Sequence, residues 1–230
     1  MSDALILAAG RGARLRPVTD TCPKPLLRVG GFSLLERHLT ELAAAGVRRA
    51  VVNLGWLGQE IVRSIGDGSR LGLQVVYSVE GYPTLDTGGA IVRALPLLES
   101  DSFWVINADI WTEFQVSTET DALLADADAA IGLVPNPDYR STGDFDIGPG
   151  RYVSNRAEPG MTFSGIAVYR RAFFSSLPDG RYSVVPLLRQ AADANALRGF
   201  DLGARWFDIG TPQRLAAVRA EVSESRIRED

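Results

Sequence analysis

One cysteine and one histidine occur among the 230 residues. A lone thiol cannot close an intrachain disulfide, and neither a cysteine cluster nor a multi-histidine metal centre can be built. Any metal would have to be held by oxygen, and a reducing, cytoplasmic setting is expected. Long apolar runs are missing too. Nothing approaches the roughly eighteen residues that a membrane-spanning helix needs, and the first apolar segment starts at Ala4, too early for a secretion signal. Excess positive charge is absent, with 24 Lys and Arg against 28 Asp and Glu and a formal net charge of −4. Nucleic-acid binders ordinarily carry a broad basic field, so neither nucleic acid nor membrane is an expected partner. The first strand is followed by neither GxxxxGK[ST] nor GxGxxG, which sets aside a P-loop or a dinucleotide fold.

What positive charge there is gathers near the start. Residues 5–25, LILAAGRGARLRPVTDTCPKP, run from a short apolar strand into a glycine-rich loop carrying Arg11, Arg14, Arg16 and Lys24. Gly10 and Gly12 permit backbone conformations closed to other residues, so main-chain N–H groups can approach an anion closely. The arginines and Lys24 add donors and charge. Pro17, Pro23 and Pro25 restrict the loop and lower the cost of ordering it around a ligand. A small polyphosphate is the ligand this arrangement suits.

The rest of the chain alternates strand and helix signals. Strands are predicted at residues 4–8, 50–54, 73–78, 103–107, 129–134, 163–169 and 206–209. Helices are predicted at 34–45, 57–65, 118–126 and 184–194, and from Asp86 or Thr87 through Leu95. Ser33 and Glu36 make a capping-box pattern, and Gly46 ends that helix. Thr211-Pro212 opens a last helix through Glu221. The strands lack strict polar alternation, so the expected fold is a three-layer, Rossmann-like α/β structure with a mainly parallel central sheet and helices on both faces. A single domain over residues 1–222 is expected, with 135–165 as a substrate-side excursion, acting as a lid or wall, and 223–230 as a fraying polar tail.

Asp109 follows FWVINA and Asp208 follows RWF, so each leaves the carboxyl end of a probable strand, where open α/β sheets gather ligands. Two such carboxylates could share one Mg²⁺. Read singly, each is equally an ordinary turn or capping residue.

At this point the chain resembles the sugar-nucleotide pyrophosphorylases, or nucleotidylyltransferases. Their opening LAAGxGxRLxPxTxxxPKPL stands here as LAAGRGARLRPVTDTCPKPL from Leu7, and GDGSRLGLQVVYSVEG, DTGGAI, VINADIW, TFSGIAVY and RWFDIGTPQRL are further similar pieces. The resemblance spans residues 3 to about 220 and is strongest to short bacterial uridylyltransferases of cell-wall sugar recycling. It implies UTP as donor, N-acetylmuramate 1-phosphate as the sugar 1-phosphate acceptor, and Mg²⁺ as cofactor. Guanylyl transfer to mannose 1-phosphate, thymidylyl transfer to glucose 1-phosphate and a catalytically silent nucleotide-sensing subunit are the alternatives. No repeated-hexapeptide extension is seen, so the transferase core alone is expected, with a monomer modestly favoured.

The resemblance also assigns residues. Leu7, Ala8, Ala9 and Gly10 would approach base and ribose, and Gly12, Arg14 and Lys24 the phosphates. Glu80, Gly88 and Gly89 would lie beside the base, with Asn107 at the ribose or substrate. Asp109 and Asp208 would bind Mg²⁺, and Phe163, Ser164, Gly165 and Asp144 would serve the sugar side. Lys24, Arg14 and Asp109 would carry catalysis. Two departures stand out: Ala108 replaces the usual glycine before the metal aspartate, and DTGG stands where relatives have ETGG or GTAG. His38 reads as a structural or surface residue and Cys22 as a small loop filler, while Arg11 is read equally as a phosphate donor and as a solvated loop arginine. Of the four tryptophans, Trp111 is best placed to stack on a ligand.

Overall fold

The computed structural model describes residues 3–155 and 158–229. Strand β1 (Asp3–Leu7) leads through the basic loop to a short hairpin, β2 (Arg28–Val29) and β3 (Phe32–Ser33), and then to helix α1 (Leu34–Ala44). The capping box forms as written: Ser33 Oγ accepts from Glu36 N at 3.1 Å, and a Glu36 carboxylate oxygen accepts from Ser33 N at 3.0 Å. Strand β4 (Arg49–Leu54), helix α2 (Gly58–Ile65), strand β5 (Gln74–Val79) and helix α3 (Asp86–Ala94) follow. Next come β6 (Ser102–Asn107), β7 (Ile110–Thr112), α4 (Thr120–Leu124) and β8 (Ala129–Val134). The second half adds β9 (Asp146–Ile147), β10 (Val153–Ser154), β11 (Thr162–Arg170), α5 (Val185–Asp193), β12 (Leu197–Asp201), β13 (Trp206–Asp208) and α6 (Pro212–Glu229).

Seven strands form one sheet in the order β12-β8-β11-β6-β1-β4-β5. All pairings are parallel except those of β11, which runs antiparallel between β6 and β8. Strand alternation divides the core. Ala4, Ile6, Val52, Trp104 and Ile106 face Leu35, Leu39 and Leu42 of α1 and Ile61 of α2. Leu5, Val51, Phe103, Val105 and Tyr169 face Ile91 of α3 and Leu188 of α5. With helices on both faces, near-continuous apolar strands are what burial requires. Each fully buried Leu or Ile contributes about 1.5–3 kcal/mol. Among the described residues no helix is long and apolar enough to cross a membrane.

Two expectations change. Strand β12 carries no strand signal, since LRGFD contains Arg, Gly and Asp; pairing with β8 outweighs those local preferences. Helix α6 continues to Glu229 rather than ending at Glu221, since SESRIRE contains no glycine or proline to stop it; Asp230 lies outside the described residues. The 135–165 excursion is a short hairpin followed by the start of β11, whose Phe163 and Gly165 line a cavity. Its β9–β10 hairpin packs on the body of the protein, with Phe145 and Val153 buried against the face that carries α5, and Arg198 of β12 lying 3.6 Å over the Tyr152 ring.

Candidate active site

Strand β1 runs into the loop at the carboxyl edge of the sheet. Gly12 has φ 65°, and a Cβ there would stand 3.1 Å from Thr19 and 3.2 Å from the Lys24 stem, so the left-handed turn is what lets Lys24 pass. Thr19 Oγ1 donates to Gly12 O at 2.9 Å and ties the loop to itself. Beside Gly10 the space is open for 4 Å. The N–H groups of Gly10, Arg11, Gly12 and Ala13 make no hydrogen bond among the described residues, so an anion could take them.

Lys24 is 8% exposed, and its Nζ donates to Asp109 Oδ2 at 2.6 Å. Asp109 sits in the turn between β6 and β7. The antiparallel β7–β13 pair places Asp208 opposite Ile110, and Ile209 N donates to Asp109 O at 3.0 Å. The two aspartates therefore come from neighbouring strand ends. Asp208 accepts a 2.5 Å bond from Arg214 Nη1, and the Arg214 guanidinium lies 3.5 Å over the Tyr139 ring. A Cβ on Gly210 would lie 3.2 Å from Arg14 Nη2, which brings the Arg14 guanidinium to the same corner.

Arg14, Lys24, Asp109 and Gly210 line a cavity of about 480 Å³, whose lining does not include Asp208. Leu7, Ala8, Ala9, Gly10, Gly12, Arg14 and Lys24 line one side, and Glu80, Asn107 and Asp109 complete it. Phe163 and Gly165 line a second, smaller cavity that shares Leu7 and Asn107 with the first. Gly165 has φ 78°, and a Cβ there would stand 2.6 Å from Asn107 Nδ2, so the bulge in β11 is shaped around Asn107.

Other expected residues stand elsewhere. Ser164 faces the opposite side of β11 from Phe163 and Gly165, as the two-residue strand period requires; its Oγ donates to Gly132 O at 2.7 Å, and it lines neither cavity. Asp144 is held by a two-pronged bond from Arg140, at 2.8 and 2.7 Å, and accepts from Phe163 N. It lines neither cavity. Gly88 and Gly89 also stand off the cavity. Their N–H groups donate to Tyr182 O, and side chains at either position would collide with the 180–182 segment. Asp86 does not cap α3 in the expected way; it has φ 61°, and its Oδ1 accepts from the adjacent Thr87 N.

The tryptophans are structural. Trp111 is 2% exposed in the cluster that holds α6, between Phe207 and the guanidiniums of Arg37 and Arg205, and lines neither cavity. Arg11 is not a simple solvated residue but lies 4.4 Å over Trp56. Cys22 is half-buried, and burial raises its thiol pKa, which suits a filler and not a nucleophile. His38 joins Ile110 O at 3.0 Å from α1, directly behind Asp109; burial lowers its pKa to about 4, so the ring is a neutral donor.

Several lining residues carry no sequence signal. Asn53 is 3% exposed in β4; its Oδ1 accepts from Ala8 N while its Nδ2 donates to Glu80 Oε1 at 2.5 Å. Glu80 Oε2 accepts from Leu85 N at 2.9 Å, so Asn53 and Glu80 brace the loop ahead of α3. Arg181 adds a cation from a loop without a motif.

Among the described residues no group of three or more His, Cys, Asp and Glu side chains could hold a metal unaided. Mg²⁺ commonly takes one or two carboxylates and completes its shell with water and substrate phosphate; Asp109 and Asp208 offer two carboxylates from neighbouring strand ends, each bonded to a basic side chain, Lys24 and Arg214.

Residues 3–225 match the nucleotidyl transferase family. The chain is 40% identical over 223 residues to an N-acetylmuramate alpha-1-phosphate uridylyltransferase of Neisseria meningitidis serogroup B, covering 94% of this chain and 96% of that protein. It is 30% identical to a mannose-1-phosphate guanylyltransferase of Mycobacterium tuberculosis over 96% of this chain and 64% of the relative. The structure of HddC from Yersinia pseudotuberculosis, complexed with GMP-PN, aligns with a TM-score of 0.79 at 28% identity, over 96% of this chain and 99% of that one. With its loop, strand ends and sheet all falling within the matched region, the chain belongs to the nucleotidyl transferase family.

Proposed function

We propose that this protein transfers the uridylyl group of UTP to N-acetylmuramate 1-phosphate, giving UDP-N-acetylmuramate and pyrophosphate. The observation that carries the reaction class is the Lys24–Asp109 bond at the mouth of the loop-lined cavity. The sugar and base follow from likeness to the Neisseria protein over nearly the full length of both chains.

An oxygen of the sugar phosphate attacks the α-phosphorus of UTP. One P–O bond forms there as the bond to the bridging β-phosphate oxygen breaks, and pyrophosphate leaves with the electron pair. The attacking oxygen needs no general base, since a phosphate monoester's second ionisation lies near ~6. Bringing the anions together is the difficulty. Lys24 would neutralise charge between nucleophile and nucleotide, while Arg14 and the loop N–H groups would stabilise the departing pyrophosphate. Asp109 and Asp208 would hold Mg²⁺, which when bound supplies further charge to offset the phosphates. Asn53 would act at a distance by fixing Ala8 and Glu80.

Pyrophosphate release from a matrix of nucleoside triphosphates and sugar 1-phosphates, with Mg²⁺, tests this directly. The highest rate is expected for UTP with N-acetylmuramate 1-phosphate. A higher rate with GTP and mannose 1-phosphate, or with dTTP and glucose 1-phosphate, would replace the substrate assignment, and no release with any pair would favour a silent nucleotide-sensing role.

A further inference from the structure

Strand β4 ends beside the glycine-rich loop, and its exit is shaped to meet it. Asn53 Oδ1 accepts from Ala8 N. Two residues on, a Cβ at Gly55 would lie 2.6 Å from Ala9 O and 2.7 Å from the Thr84 methyl, so any side chain there would push the exit off the loop. Trp56 N then donates to Ala9 O at 3.1 Å. Leu57, the cap of α2, holds φ 52° and ψ 32°. A bulky residue in the left-handed region is an outlier that surrounding contacts have to maintain.

The Trp56 indole touches both limbs of the loop. Its Nε1 donates to Thr19 O at 2.8 Å, and Thr19, itself 1% exposed, donates from Oγ1 to Gly12 O at 2.9 Å. Its ring carries the Arg11 guanidinium at 4.4 Å. That guanidinium is otherwise loosely held. Arg11 Nε is buried without a hydrogen-bond partner among the described residues, and the carboxylate of Asp20, 4.0 Å away, already accepts from Arg16 Nε at 2.9 Å. Trp56 lines neither cavity, whereas Ala9, Gly10 and Gly12 line the larger one. The indole therefore fixes, from outside the cavity, the stretch whose N–H groups are free to take an anion.

We propose that Trp56 is a positioning residue for the phosphates of the nucleotide. Without touching them, its indole holds Arg11, Gly12 and Thr19 at the spacing that lets the loop N–H groups converge on a pyrophosphate unit. The assignment rests on the reading of the larger cavity as a nucleotidylyltransferase site. Donors already held in place bind an anion better than donors that must first be ordered. Lys24 is pinned separately by Asp109 at 2.6 Å, so loss of the indole loosens the loop amides and leaves that pair standing. Binding of the acceptor sugar phosphate, which does not use those amides, is spared.

Titration calorimetry of the intact protein with inorganic pyrophosphate and Mg²⁺ reads the loop without turnover. In Trp56→Ala the affinity is expected to fall roughly tenfold, the combined scale of one neutral hydrogen bond and one cation–π contact, and in Trp56→Phe, which keeps a ring beneath Arg11, about threefold. With the triphosphate and sugar 1-phosphate that the wild type uses fastest, the KM for the triphosphate is expected to rise by similar factors while that for the sugar phosphate stays within about twofold. An unchanged pyrophosphate affinity, or two KM values that rise together, would overturn the assignment. Should Trp56→Ala not fold, Trp56→Phe decides by the same comparison. If no pair of substrates turns over, the nucleotidylyl-transfer reading fails, and the pyrophosphate titration still judges Trp56.

Discussion

Lys24 Nζ donates to Asp109 Oδ2 at 2.6 Å across 85 residues of sequence. One group leaves the glycine-rich loop after β1, the other the turn after β6, and the parallel β1–β6 pairing, Leu7 opposite Asn107, brings the two exits side by side. With Lys24 only 8% exposed, its ammonium is presented to the cavity and not to bulk solvent. Replacing it by alanine is expected to lower kcat by roughly 10²–10³, the range for losing one preorganised charge-stabilising donor. Pyrophosphate release measures this. A thermal melt close to wild type would separate the effect from unfolding.

Gly165 is a geometric requirement of the site. Gly165→Ala would place a methyl 2.6 Å from Asn107 Nδ2 at a φ of 78°, and it is expected to destabilise the fold by about 1–3 kcal/mol. A lower denaturant midpoint with unchanged slope, together with reduced turnover, would show it. A neutral substitution would mean that β11 can relax without its bulge.

His38 makes stability depend on pH. Its folded pKa of about 4 lies below the ordinary 6.5, so its contribution is fully present above about pH 6.5 and is lost as pH falls toward 4. Between pH 7.5 and 4.5 this amounts to roughly 2–3 kcal/mol, at 1.36 kcal/mol per pKa unit. Arg37 and Asp109 face the ring with opposite effects. Unfolding free energies of wild type and His38→Gln at both pH values are expected to show the smaller drop in the variant; equal drops would remove His38 as the cause.

Arg214 occupies the carboxylate of Asp208 at 2.5 Å, so a cation taken up there must compete with a guanidinium that is also stacked on Tyr139. In Arg214→Gln the affinity for Mn²⁺, used as a spectroscopic stand-in for Mg²⁺, is expected to rise several-fold. Weaker binding would instead show that Arg214 orients Asp208 for the metal.

How much of this was legible follows from distance along the chain. Gly10, Gly12, Arg14 and Lys24 lie within one loop, and the reason for each residue type is local, so the pattern could be read before any fold was known. Asp109 and Asp208 were legible as strand exits, but their adjacency depends on β7 pairing with β13, which no local signal encodes. Ser33 and Glu36 were read correctly because a capping box involves only four residues. Ser164 stands off both cavities because neighbours in a strand face opposite ways, and Phe163 with Gly165 takes the cavity side. Asn53 and Arg181 carry no sequence signal because they reach the cavity from segments with no motif, and the packing of Gly88 and Gly89 is not legible because Tyr182 approaches from nearly a hundred residues away.

The central claim is that Lys24 and Asp109 act as one unit. A double-mutant cycle on kcat, with Lys24→Ala, Asp109→Asn and the pair, tests it most directly. The predicted result is strong coupling, the double variant being about as slow as the slower single variant. Losses that simply multiply would contradict it.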